Sequence, residues 1–306
     1  MAIDWQQHGF FEDDTPEVLG NQKGALAYGR QRRLEILREF KGELPQSIMP
    51  ARFTNRSDDP AQNSYDQTNI RKNPTEEMEF TRGPGNVRLG GLSQFPWNIG
   101  RSLLLLYTKP GDMVIDPFAG HNSRMGMVVP EGRDYQGYDI SGEFMRFNYE
   151  ERERLRELYP DRNIRLHRLD SRKLSLSATD SGDFTITSPP YYNIERYGDE
   201  PEQLGKAKTY EAFLEELGEV AKENCRVLKP GAFAAWFVND FRKDWRFYPY
   251  HMDVCNLMQS AGFTLFDLMI VDLGNPIRAA FAQQIVKEKI LPKRHEYCLI
   301  FQKGRD

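Results

Sequence analysis

Cysteine is scarce: three in 306 residues, at Cys225, Cys255 and Cys298, far apart and in apolar stretches. An odd, scattered set of thiols indicates neither a disulfide framework nor a zinc site, and reads as reduced core residues of a cytoplasmic protein. No apolar run approaches the roughly 20 residues of a membrane span, so no membrane partner is expected. The opening Met1–Ala2–Ile3–Asp4 also lacks the basic-then-apolar character of a signal peptide. Positive charge is not in excess, with 41 Lys and Arg against 45 Asp and Glu and a net charge of −4. That argues against strong indiscriminate binding to polyanions but leaves room for a local basic face. His121, His167, His251 and His295 show no ligand spacing, so no metal is expected. A Gly-x-Gly-x-x-Gly turn is missing after Val114–Ile115–Asp116, which argues against a dinucleotide oxidoreductase.

What is present is an alternation of strands and helices. A hydrophobic share of 39% suits one large domain with additions. Short apolar strands are predicted at 113–116, 135–139, 164–169 and 184–187, with later ones at 232–238, 263–273 and 295–302. Between them, Ser141 would cap a helix that stops by Pro160. Residues 209–228 carry Tyr210, Phe213, Leu214, Leu217, Ala221 and Cys225 at helical spacing. A further helix is expected near 250–261. The pattern predicts an α/β fold, a mostly parallel, doubly wound sheet with helices on both faces. The compact core begins near residue 80. Residues 1–80 read as an N-terminal extension, helical over 23–44 and then a polar loop over 52–75, and residues 81–306 as the domain that carries the motifs below.

Three strands in succession end in an acid: Asp116, Asp139 and Asp170. Singly, each reads as a helix cap or a solvated strand end. In order, at the carboxyl ends of a doubly wound sheet, they border the crevice where a nucleoside cofactor lies. Asp139 suits the ribose hydroxyls and Asp170 an adenine amino group, while Asp116–Pro117–Phe118–Ala119–Gly120 makes a tight turn that exposes backbone. The fourth strand runs into Thr187–Ser188–Pro189–Pro190–Tyr191. Consecutive prolines cannot extend a ladder and hold their neighbours extended, so this is a stiff hook. It offers a serine hydroxyl, prolyl carbonyls and the face of Tyr191, which suit a planar heterocycle bearing an NH2.

These motifs together resemble the DNA amino-methyltransferases, which use S-adenosylmethionine to modify N4 of cytosine or N6 of adenine. Phe95–Pro96–Trp97 and the helix after it resemble the family's tenth motif, and Asp116–Gly120 its first. Asp139–Ile140 and Asp170–Ser171 match the ribose and adenine acids, and Ser188–Tyr191 the catalytic fourth motif. The match covers roughly residues 90–303, in the order that places cofactor motifs before the catalytic one. The resemblance implies a Rossmann-like class I methyltransferase fold. It also implies cofactor contacts from Phe95, Asp116, Pro117, Phe118, Ala119, Gly120, Asp139, Ile140, Asp170 and Ser171. Catalysis would fall to Ser188, Pro189, Pro190 and Tyr191, with DNA as partner and the bacterial or phage cytoplasm as setting. Serine before Pro-Pro-Tyr is more typical of the cytosine-N4 branch. Adenine N6 is the alternative, followed by an RNA amino-methyltransferase or a non-catalytic nucleic-acid-binding module.

The chain departs from its relatives after Gly120, where His121–Asn122–Ser123–Arg124 replaces a Gly-Ser-Gly-Thr run. A neutral variant explains this, as does a pocket in which His121 and Arg124 suit a more anionic derivative of the cofactor. For DNA contact the candidates are residues 1–80, 192–208, 239–249 with Arg242, Lys243, Trp245 and Arg246, and 274–294 with Arg278, Lys287, Lys289, Lys293 and Arg294. A homodimer is left open, and a restriction endonuclease partner is not readable.

Overall fold

The computed structural model describes residues 38–39, 45–51, 95–120, 123–194, 198–274, 286–291 and 293–305. The chain divides into two units, residues 1–44 and 45–306, and the sheet with its helices belongs to the second. The expected polar loop at 52–75, His121, Asn122 and most of the expected helix at 23–44 lie outside the described residues; of that helix, Arg38 and Glu39 are helical.

The described part of the second unit holds ten strands and five longer α-helices, besides a 3-10 turn at Leu204–Lys206 and helical residues at 286–288. The strands are β1 Ile48–Pro50, β2 Met113–Asp116, β3 Asp134–Asp139, β4 Ile164–Arg168, β5 Gly182–Thr187, β6 Leu228–Val238, β7 Phe241–Lys243, β8 Arg246–Tyr248, β9 Phe263–Asp272 and β10 His295–Lys303. The helices are α1 Trp97–Tyr107, α2 Ser123–Val128, α3 Gly142–Leu158, α4 Tyr210–Val227 and α5 Tyr250–Ser260. Eight strands form one sheet in the order β1-β9-β10-β6-β5-β2-β3-β4. From β4 to β6 every pairing is parallel, and β10 runs antiparallel between β6 and β9. This is the mostly parallel α/β sheet that the strand and helix alternation predicts, closed on one side by an antiparallel pair.

Side-chain alternation along β6 shows how the two faces are filled. Ala235 and Phe237 join one core with Leu103 and Leu104 of α1, Met125 of α2 and Leu155 of α3. Ala234, Trp236 and Val238 point the other way, into a second core with Phe213 and Leu217 of α4 and Val254 of α5. The period of two along the strand therefore divides one apolar run between two helical layers. Asn224 is satisfied inside this interior: it donates to the Thr185 hydroxyl at 2.6 Å and accepts from the Trp236 indole at 3.1 Å. Helix starts follow the side chains suited to them, with Ser141 accepting from the Phe144 N–H and Thr209 from the Ala212 N–H.

Three features differ from the sequence expectations. β6 starts at Leu228 instead of near 232, so Lys229–Pro230–Gly231 lies inside it, where Gly231 at φ +78° supplies the bend. The sheet's edge strand β1 comes from within residues 1–80 and pairs with β9 from Ile48↔Ile270 to Pro50↔Asp272. Three residues carry too little pattern to announce a strand. The segment 239–249 contains a two-stranded hairpin, β7–β8, outside the main sheet.

Candidate active site at the carboxyl edge of the sheet

The turn after β2 is built on one buried carboxylate. Asp116 Oδ1 accepts from the Phe118 N–H at 3.2 Å and the Thr187 hydroxyl at 2.7 Å. Its Oδ2 accepts from Arg124 Nε at 2.6 Å and the Tyr135 hydroxyl at 2.8 Å. One side chain thus ties together β2, α2, β3 and β5. Burial alone would lower the pKa of Arg124, but the adjoining Asp116 outweighs it and holds the guanidinium above its ordinary range. Arg124 also donates to the Phe118 carbonyl and lies 5.3 Å from the centre of the Phe95 ring. Its charge is neutralised inside the protein, which removes it as the free cation expected beside a more anionic cofactor.

The rest of the turn is held as firmly. The Ala119 N–H donates to the Tyr138 carbonyl at 2.8 Å, and the Ser171 hydroxyl donates to the Pro117 carbonyl. Gly120 adopts φ +53°, the left-handed region that glycine enters without a Cβ penalty. Its N–H donates to Asp139 Oδ2 at 2.8 Å, and its carbonyl accepts from Asn148 of α3. Ser171 and Gly120 are therefore brought to one turn with Asp116, although 51 residues separate Gly120 from Ser171 in the chain.

Asp139 lies at the end of β3, half-buried, with its second oxygen accepting the Ser141 N–H at 2.8 Å. Burial pushes its pKa up to about 6, against the lowering effect of the two N–H donors from Ser141 and Gly120. Each carboxylate oxygen keeps acceptor capacity beyond its one backbone partner. The Ile140 carbonyl beside it accepts from Arg168 Nε at 3.3 Å. Asp170 is differently placed. Arg172 grips it by a fork, with Nε to Oδ2 at 2.9 Å and an outer nitrogen to Oδ2 at 2.6 Å, and reaches Glu216 at 2.9 Å. The structure therefore places this predicted adenine acid in an ion-pair network that two-residue spacing along the sequence did not announce.

At the end of β5, the Ser188 hydroxyl donates to the Phe237 carbonyl at 3.3 Å, which turns its lone pairs away from that strand. The Pro190 carbonyl accepts from the fully buried Tyr250 hydroxyl at 3.0 Å, leaving Pro189 as the prolyl carbonyl without a described donor. Tyr191 is 8% exposed and meets the Tyr250 ring edge-on at 6.0 Å. Tyr192 takes φ +43°, so the chain bends sharply just past the hook. Phe95 is 6% exposed, edge-on to Phe237 at 4.8 Å, and fits because Gly100 has no Cβ to meet it. Two further side chains adjoin these motifs: Tyr250 against the hook, and Glu200, which accepts from the Gly142 N–H at 2.9 Å.

Because β5, β2 and β3 are adjacent and parallel, Ser188, the 116–120 turn and Asp139 share one edge of the sheet. Two strand spacings put the hook and Asp139 about 10 Å apart.

The N6/N4 methyltransferase family model, described as DNA methylase, matches residues 17–150 and 183–306. The chain belongs to this DNA methylase family. A similar curated protein is the DNA adenine methyltransferase YhdJ of Escherichia coli (strain K12), 31% identical over 88 residues. That match takes in 25% of this chain and spans 30% of the relative's length. Among solved structures, a SAM-dependent methyltransferase from Methanosarcina mazei overlaps 67% of this chain and 98% of its own, at 16% identity and a TM-score of 0.46. A candidate DNA modification methylase from Thermus thermophilus, complexed with S-adenosyl-L-methionine, overlaps 44% of this chain and 51% of its own, at 28% identity and a TM-score of 0.33. Among the described residues no helix is long and apolar enough to cross a membrane, and no group of three or more His, Cys, Asp or Glu is placed to hold a metal ion.

Proposed function

We propose that this protein transfers a methyl group from S-adenosylmethionine to the exocyclic amine of a DNA base, with cytosine N4 favoured over adenine N6. The observation that carries the reading is the shared edge: an acid with spare acceptor capacity, Asp139, and an oriented hydroxyl, Ser188, end the two strands that flank β2, which strand spacing puts about 10 Å apart. The donor set suits the cofactor. The two Asp139 oxygens can each take one ribose hydroxyl. At the end of the neighbouring β6, the buried Asn239 Oδ1 has no partner among the described residues, as expected of a polar atom that waits for a ligand.

The cofactor supplies an electrophilic sulfonium methyl. An amine conjugated to its ring is a weak nucleophile, since its lone pair is delocalised. Acceptance of its two N–H groups by Ser188 Oγ and the Pro189 carbonyl favours a pyramidal nitrogen with its lone pair aimed at the methyl. The amine would exchange one N–H for the methyl and release that proton to solvent, while Ser188 Oγ and the Pro189 carbonyl, accepting from its N–H groups, would stabilise the positive charge that builds on nitrogen. A paired base cannot reach such a hook, so the target must flip out of a duplex. Serine in the first position of the hook favours cytosine. The likeness to a relative named as an adenine methyltransferase supports the second reading, adenine N6. Incubation of plasmid DNA with labelled S-adenosylmethionine, then nucleoside mass spectrometry, separates the two. Label in N4-methylcytosine supports the first, label in N6-methyladenine replaces it with the second, and label in neither ends both.

Binding of the cofactor should depend on pH through Asp139. Ribose hydroxyls donate to the ionised carboxylate, so affinity is full well above about 6 and falls below it. At pH 5 titration calorimetry should find the dissociation constant up about tenfold from pH 7, and Asp139→Asn should lose that dependence. Folding stability has the opposite sign: a raised carboxylate pKa favours the protonated native state, so this contribution declines as pH rises from 3.8 to about 6. A flat binding profile in the native protein would remove Asp139 from the cofactor site.

A further inference from the structure

The hairpin β7–β8 is used by nothing described so far. Its register, Phe241↔Tyr248, Arg242↔Phe247 and Lys243↔Arg246, leaves Asp244 and Trp245 as a two-residue turn. Both have positive φ, +48° and +67°, the geometry that fits the twist of a hairpin. Glycine is the usual second residue there, and a bulky aromatic side chain in the left-handed region is strained. Trp245 is nonetheless 72% exposed, so the fold gains little packing from it. Its large ring faces solvent.

The root of the hairpin is fixed to the hook. Phe241 and Tyr248 stack at 4.9 Å and rest on Tyr210 and Tyr250, and it is Tyr250 that holds the Pro190 carbonyl. The tip stands about 10 Å beyond that floor, three residues at roughly 3.4 Å each. The flanks are cationic. Arg242 lies over the Phe247 ring at 5.1 Å, Arg246 over Tyr248 at 4.8 Å, and Lys243 over Tyr192 at 5.0 Å. Among the described residues none of the three forms an ion pair. Three cations around an exposed indole, on a chain of net charge −4, make a local match for phosphates flanking a base stack.

We infer that residues 241–248 form a DNA-entering finger. Trp245 inserts into the duplex at the gap left by the target base, and Arg242 and Arg246 contact the phosphates on either side. The inference rests on the amino-methylation reading and deepens it, because it assigns the cost of opening the duplex to one side chain. A single strand has no gap to fill, which gives the test.

Trp245→Gly removes the ring and suits the positive φ, so the variant should melt at or above the temperature of the native protein. Methyl transfer from labelled S-adenosylmethionine is measured on native plasmid and on the same plasmid heat-denatured. The variant should lose tenfold or more on the duplex and stay within about threefold on denatured strands. In parallel, Arg242→Ala with Arg246→Ala should flatten the salt dependence of duplex binding by about two units of slope, one for each lost phosphate contact. Rates that change equally on duplex and denatured strands, or change on neither, overturn the finger. So does an unchanged salt slope. If the native protein labels neither substrate, it is the methylation reading that fails, before the variants are compared.

Discussion

Ser188→Ala is expected to lower kcat by about 100- to 1,000-fold, the loss typical of removing one positioned group that meets charge developing in a transition state. The hydroxyl's one described bond is a long 3.3 Å contact to the Phe237 carbonyl, so little stability depends on it. The melting temperature and the Kd for S-adenosylmethionine should therefore stay close to those of the native protein. This split between rate and cofactor binding separates a group that acts on the amine from one that shapes the pocket. Single-turnover methyl transfer on saturating DNA is the measurement, and a decrease of less than threefold would take Ser188 out of the chemistry.

Asp116→Ala should produce the largest loss of stability from a single change, about 3–5 kcal/mol. The substitution leaves the Arg124 guanidinium buried without its carboxylate and strips the acceptor from the Tyr135 and Thr187 hydroxyls. Against a typical total of about 5–15 kcal/mol, such a loss brings the protein near its unfolding threshold. Chemical denaturation reads it as a shifted midpoint. Asp116→Ala combined with Arg124→Met removes the unpaired charge and should recover part of the loss, since an apolar side chain of similar length costs less there than an orphaned cation. A single variant within about 1 kcal/mol of the native protein would show that the four-donor network does not hold the turn.

These two positions show where reading along the chain succeeds and where it stops. The amino-acid order by itself determined the alternating elements, because periods of two and 3.6 are local: α4 appears where Tyr210, Phe213 and Leu217 recur, and β6 where an apolar run meets its end. It also determined that a stiff Ser188–Tyr191 hook follows β5, since proline acts on its immediate neighbours. Only the tertiary structure decided what each side chain does there. Asp116 faces four protein donors, Asp170 is gripped by Arg172, and Tyr250 supports Pro190 from 60 residues away. Those roles depend on which strands lie side by side and which way the side chains face. Strand pairing and long-range hydrogen bonding bring together residues whose separation along the chain carries no periodic trace, so Asp116 and Asp139 look alike in sequence and serve different ends in space.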